Sequence, residues 1–203
     1  MRKSLYAVGI GYIGLCGWAV AKSHSPGDAP TAEAPPATVP VRPAVHAEAE
    51  APEATPNGWF ARVKPFCNVV EVETALRQNP APPGLEGVGY QAACLALAGK
   101  IERARTLIDG IPAEKRYRAA GIVFEVAHPV ADAGDDKSAG PIMAMVVDFW
   151  PNHYMALYHA GMSEFALGDR DRARRHLEAF LQNYSVEDGW RGSARAALAK
   201  LTP

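Results

Sequence analysis

The 203-residue chain has little that marks an enzyme. Cysteine is scarce, with only Cys16, Cys67 and Cys94, so no paired-cysteine zinc finger can be assembled. Residues 58–203 contain no nucleophile elbow, no zinc-protease helix and no phosphate loop, which leaves hydrolytic and nucleotide chemistry without positive support. Net charge is missing too. Residues 58–203 carry 17 Lys+Arg against 17 Asp+Glu, and such a balance offers no basic field to a nucleic acid. Aromatic residues are absent from residues 24–57, where eight prolines and nine alanines occur. A segment of that composition cannot bury enough apolar surface to offset its ordering entropy, and reads as a disordered, partly polyproline-like spacer.

Charge is absent from one further stretch. Residues 5–21 hold no ionisable group of either sign except the thiol and phenols, between Arg2-Lys3 and Lys22. Two readings fit. The basic start, apolar run and Ala19-Val20-Ala21 suit a secretory signal cleaved near Ala21. The 17-residue length is at the lower limit for spanning a bilayer, with Tyr6 and Trp18 placed for the two interfaces and Arg2 and Lys3 favouring a cytoplasmic amino terminus. We expect an uncleaved anchor over residues 1–23, a spacer over 24–57 and a folded domain over 58–203. Either reading exports the domain. Within the run, Gly9-Ile10-Gly11-Tyr12-Ile13-Gly14 matches a dinucleotide fingerprint, but the spacer stands where the required second strand would follow.

What is present is helical periodicity. In residues 152–184, Tyr154, Leu157, Tyr158, Gly161 and Phe165 recur at three- and four-residue steps, the period of one helical face. Gly168-Asp169 ends that helix and caps the next, whose apolar stripe is Ala173, Leu177, Phe180 and Leu181. The arginines from Arg170 to Arg175 read as its solvated side. A glycine followed five residues later by alanine recurs as Gly99/Ala104, Gly134/Ala139 and Gly168/Ala173, the alanines 35 and 34 residues apart. Twelve positions before each alanine stands a small residue, Ala92, Ala127 or Gly161. Four positions after stands a larger apolar one, Ile108, Met143 or Leu177.

A 34-residue helix–turn–helix period with these residues resembles the tetratricopeptide repeat family. The resemblance implies an all-α fold: a short α-solenoid of about three helix–turn–helix repeats, with an additional amino-terminal helix and a carboxy-terminal capping helix over residues 188–201, behind the anchor and linker. The middle copy is degenerate. Pro129 falls in its first helix and Pro141 in its second, so the expectation is a shortened helix, an acidic loop through Asp132, Asp135 and Asp136, and a late second helix running to Trp150. Ahead of the repeats, a helix is expected over residues 65–78 with Val69, Val70, Val72, Ala75 and Leu76 buried, and Trp59-Phe60 packed on it. Folding back at residues 79–84 brings Cys67 near Cys94. In an oxidising compartment that pair is expected to bond, the alternative being two buried thiols.

The resemblance also implies a partner surface, since first helices in this family line a groove for an extended peptide or a partner helix. Carried over, that face holds Ala93 and Leu97, then Phe124 and His128, then Met155, Tyr158, Met162 and Phe165. The family's usual first-helix tyrosine is missing, with Glu164 beside Phe165 instead. The expected function is a non-catalytic adaptor of a bacterial-type cell envelope, taking a protein or peptide ligand and needing no cofactor; the alternative partner is a second copy of the chain. His153 and His159 are six apart, which does not align them on a helix. His128 with Asp132, Asp135 or Asp136 is a sharper alternative as a metal set, against the plainer reading of polar residues lining a loop. No metal site is expected.

Overall fold

A computed structural model of the chain describes residues 55–201. Among them there are nine α-helices and no strand. They run α1 (Pro56–Val63), α2 (Val72–Gln78), α3 (Leu85–Leu97), α4 (Ile101–Asp109), α5 (Arg116–Asp132), α6 (Asp136–Phe149), α7 (Tyr154–Leu167), α8 (Arg170–Asn183) and α9 (Gly189–Leu201). The expected anchor and most of the spacer lie outside the described residues. No helix within them is long and apolar enough to cross a membrane.

Three antiparallel hairpins, α3–α4, α5–α6 and α7–α8, turn in the same way. Gly99, Gly134 and Gly168 each take a positive φ, at 72°, 77° and 85°, a conformation that glycine adopts without a Cβ penalty. One residue on, the backbone N–H of Lys100, Asp135 and Asp169 donates to the carbonyl five residues back, on Leu95, Val130 and Glu164, at 2.8, 3.3 and 2.9 Å. This is the Schellman arrangement, which satisfies carbonyls that a helix end leaves open. In the second and third hairpins the carboxylates of Asp135 and Asp169 then cap α6 and α8, accepting from the N–H of Ser138 and Arg172. The recurring residues are equivalent in burial: Ala92, Ala104, Ile108, Ala127, Ala139, Met143, Ala173 and Leu177 are all in the core, and Gly161 is buried with them.

The middle hairpin is therefore not broken, contrary to the sequence expectation. α5 continues through Pro129 to Asp132, and α6 starts at Asp136 and passes through Pro141. A proline frees the carbonyl four residues before it, here on Glu125 and Lys137. Both prolines and both of those residues are exposed, so water can take the freed carbonyls and the cost falls below that of a buried break. Asp132, Asp135 and Asp136 are consequently helix ends rather than a loop.

The amino-terminal part also departs from expectation. The first described helix begins at Pro56, with the Thr55 hydroxyl accepting from Gly58 N–H at 3.1 Å, so residues 56 and 57 of the expected spacer are helical. Trp59, Phe60 and Val63 lie inside α1 and are buried, the Trp59 indole donating to the Asn79 carbonyl at 3.2 Å. The expected helix over 65–78 is replaced by a short 3-10 turn (Lys64–Phe66) and the seven-residue α2. Val69 and Val70, expected inside, are 66 % and 82 % exposed. The Asn68 side chain explains the interruption: its Oδ1 accepts from the N–H of Val70 and Glu71, an Asx turn that competes with helix. Cys67 and Cys94 are joined by a disulfide with Cα atoms 4.8 Å apart, tying this segment to α3. Closing a loop of that size contributes about 3 kcal/mol in the chain-entropy account.

At the other end α9 packs on α7 and α8 and covers the last apolar face, as a solenoid cap must. Two arginines expected to be merely solvated hold it there. Arg170 donates to the Leu201 carbonyl at 3.0 Å, and Arg174 donates to the same oxygen. Between α7 and α8, Glu164 is 5 % exposed and its carboxylate meets His176 Nδ1 at 2.7 Å, with Arg172 Nε at 3.6 Å from the other oxygen.

The close approach inside the third hairpin rests on Gly161, where a Cβ would stand 2.7 Å from Leu177 Cγ and 3.1 Å from the Leu177 backbone nitrogen. Gly161→Ala is expected to destabilise the domain by about 1–3 kcal/mol through overpacking. Gly192→Ala, where a Cβ would meet nothing within 4 Å, is expected to be neutral or to stabilise by up to about 1 kcal/mol. Denaturant midpoints of the two variants measure the contrast.

Candidate functional site

α5 and α7 face one another across a seam of aromatic rings. In order along it, Tyr117 meets Trp150 edge-on at 5.6 Å, Trp150 meets His153 at 4.5 Å, and His153 tilts against Phe124 at 4.2 Å. Phe124 stacks on His128 at 4.7 Å, and His128 meets His159 edge-on at 5.0 Å. His159 and Tyr158 then both meet Trp190 of α9, at 5.7 and 4.8 Å. Pairs of this geometry contribute roughly 0.5–1.5 kcal/mol each beyond area burial. The seam thus adds to the packing of α6 on α7 that seats the second hairpin against the third.

A hollow lies on each side of it. One, of about 440 Å³, is lined by Ala131 and Asp132 of α5, Asp136 of α6, Tyr158, His159, Met162, Phe165 and Ala166 of α7, and Trp190 of α9. Its floor is aromatic and methionine side chains and its rim carries the two carboxylates. The other, of about 480 Å³, lies among α1, α3 and α5 and includes Phe60, Tyr90, Ile122, Val126, Trp150 and His153.

The expected groove residues divide between these places. Tyr158, Met162 and Phe165 line the first hollow together. Tyr158 is only 9 % exposed, because its ring also packs edge-on against Phe180 at 5.2 Å. His128 and Phe124 belong to the seam, and Phe124 is buried. Met155 is half-buried against the core and outside both hollows, as is Leu97, while Ala93 is fully buried. Of the expected groove residues, Tyr158, Met162 and Phe165 therefore share one hollow, toward the carboxy-terminal end of the domain.

Sequence reasoning missed His159, His153 and Trp190. Six-residue spacing set the two histidines apart only if both were helical. His153 instead precedes α7 as its cap, its Nδ1 accepting from Ala156 N–H at 3.2 Å, and from there it reaches α5. Burial is the main reason that the His153 imidazole is held below its ordinary range. His159 is 6 % exposed, and its pKa is pushed from 6.5 down to about 4, first by burial and next by the neighbouring His128, against the opposing pull of Asp132 and Asp136. His128 Nε2 and His159 Nε2 stand 3.4 and 3.5 Å from Asp132 Oδ1.

A family model described as tetratricopeptide repeat matches residues 155–185. That span is the α7–α8 hairpin, the one whose first helix floors the hollow. Repeats of this family generally mediate protein–protein interaction. No curated protein and no solved structure matches the chain.

The His159 environment makes stability pH-dependent. Unfolded, the imidazole takes its proton near 6.5; folded, only near 4. Between those values the unfolded chain binds the extra proton, so stability falls as pH drops through the window, by up to about 3 kcal/mol. Urea unfolding in chelator at pH 7.5 and pH 4.5 should show this loss in the parent chain. A His159→Gln chain should lack that part of it; an equal loss in both would contradict the assignment.

Proposed function

We propose that the chain is a non-catalytic adaptor whose α5–α7–α9 hollow takes a segment of a partner protein. The single observation that carries this reading is the hollow itself. Tyr158, Met162, Phe165 and Trp190 converge on it from two helices, rigid aromatic and adaptable methionine surface of the kind that anchors interfaces. Asp132 and Asp136 at the rim suit a partner segment that places an apolar side chain next to a lysine or arginine. The repeat match over residues 155–185 supports the same hairpin as the binding element.

The setting proposed for this adaptor is a cell envelope. Residues 1–23 anchor it in the inner membrane, residues 24–54 serve as a tether, and the helical domain works outside the cytoplasm. Support comes from the basic start and uncharged run of residues 5–21, from the proline-rich composition that follows, and from the Cys67–Cys94 disulfide, a bond suited to an oxidising compartment. At roughly 3.1 Å per residue the tether would reach about 100 Å at most.

Site-specific crosslinking from position 162 or 165 in cells tests the proposal. A discrete partner protein should be captured, and Phe165→Ala or Met162→Ala should weaken its binding about 10-fold or more, the loss expected for an anchor side chain. Both side chains are half-buried at the hollow, so these variants disturb folding less than Tyr158→Ala. Capture only of a second copy, with mass rising with concentration in light scattering, would replace the adaptor reading with self-assembly.

A further inference from the structure

The seam contains a feature that partner binding does not need. His128 and Asp132 sit four residues apart on α5, on one face of the helix, and His159 approaches them from α7. One ligand-type atom from each lies within 4.8 Å of the others. The two histidine-to-carboxylate separations, 3.4 and 3.5 Å, are long for hydrogen bonds, which cluster at about 2.7–3.2 Å. Both Nε2 atoms are buried without a hydrogen-bond partner among the described residues. Leaving a buried ring nitrogen unsatisfied is destabilising, and here two nitrogens point at the same carboxylate and at the same small space.

We propose that His128, Asp132 and His159 bind a divalent first-row transition metal ion, with zinc as the type case, on the wall of the α5–α7–α9 hollow. The spacing suits such an ion. Around a tetrahedral centre with bonds of about 2.0–2.1 Å, neighbouring ligand atoms stand roughly 3.3 Å apart. Two edges of the His–Asp–His triangle are already within 0.2 Å of that value, and the third is no longer than 4.8 Å. Two imidazoles and one carboxylate make a borderline donor set that favours zinc, copper or nickel over magnesium or calcium. Asp132 is half-exposed and lines the hollow, so the remaining coordination position opens there and is filled by water. An ion at this point satisfies both orphaned nitrogens and ties α5 to α7 across the seam. Asp136 stands on the same wall, its Oδ1 accepting from the Ser163 hydroxyl at 2.8 Å, which holds that carboxylate on α7.

The test is titration of the full-length, chelator-stripped chain with Zn²⁺ by calorimetry and with Co²⁺ by visible absorption. One equivalent should bind saturably, and Co²⁺ should give the intense visible bands of a low-symmetry four-coordinate site. His128→Gln, His159→Gln and Asp132→Asn should each weaken binding by at least about 100-fold, the upper end of the loss produced by removing an outer-shell partner, and should abolish the bands. Asp132 is half-exposed, so Asp132→Asn keeps the fold and decides the matter if a histidine variant does not fold. His24→Gln and His46→Gln should leave binding unchanged. Absence of a saturable equivalent, or equal binding by the parent and Asp132→Asn chains, overturns the proposal; the former would mean that the space holds water.

Discussion

Close approach of two helices within each hairpin is the constraint on which the structure depends. It requires small residues in both helices of each hairpin: Ala92 and Ala104, Ala127 and Ala139, Gly161 and Ala173, all buried, with Gly161 lying directly against Leu177. With backbones that close, the larger residues Ile108, Met143 and Leu177 fill the space one turn further on. Each hairpin alone would leave an apolar side uncovered, and stacking hides it. The left-handed glycine at each turn is what lets the second helix return along the first.

From that geometry the site follows. Stacking packs α6 of the second hairpin on α7 of the third, with Gly140 close against Ser163, and beside that packing the rings on α5 and at the start of α7 come into contact. His128, His153 and His159 stand in that contact as flat, half-polar plates among Phe124, Trp150, Tyr158 and Trp190. Placing imidazoles there is costly unless their nitrogens find partners. His153 finds one in the N–H of Ala156. His128 and His159 turn their Nε2 atoms toward Asp132. The same stacking leaves a hollow beside the seam, where Trp190 of α9 meets Tyr158 and His159 of α7. Recognition of a partner and coordination of an ion would thus share one wall without sharing the same side chains, Asp132 excepted.

Much of this was legible in the sequence. The glycine-to-alanine interval and its 34- and 35-residue recurrence located all three turns, because a positive φ and a crowded helix pair leave few residue choices. The proximity of Cys67 and Cys94 could be read from a single fold-back. Other features were not local. Whether Pro129 and Pro141 break a helix depends on where the freed carbonyls point, and that is set by tertiary packing. Val69 and Val70 look like core by composition, yet Asn68 turns the chain before a helix can bury them. The seam needed the register between two helices from different repeats, and it included a residue, His153, whose non-helical position defeated the spacing argument. What Trp190 meets at the start of the capping helix could not be read either, since its partners Tyr158 and His159 lie on another element.

The seam and both proposed sites require a middle hairpin as complete as its neighbours, since α5 and α6 supply His128, Asp132, Asp136 and half of the seam. Backbone amide hydrogen exchange across residues 124–147, followed by mass spectrometry of the full-length chain, tests it most directly. Amides on both sides of Pro129 and Pro141 should exchange as slowly as those of α7, within about tenfold, as parts of one cooperative unit do. Exchange at unfolded-chain rates from residue 128 to residue 142 would mean an open loop there, and with it the loss of the seam, the hollow and the His–Asp–His triangle.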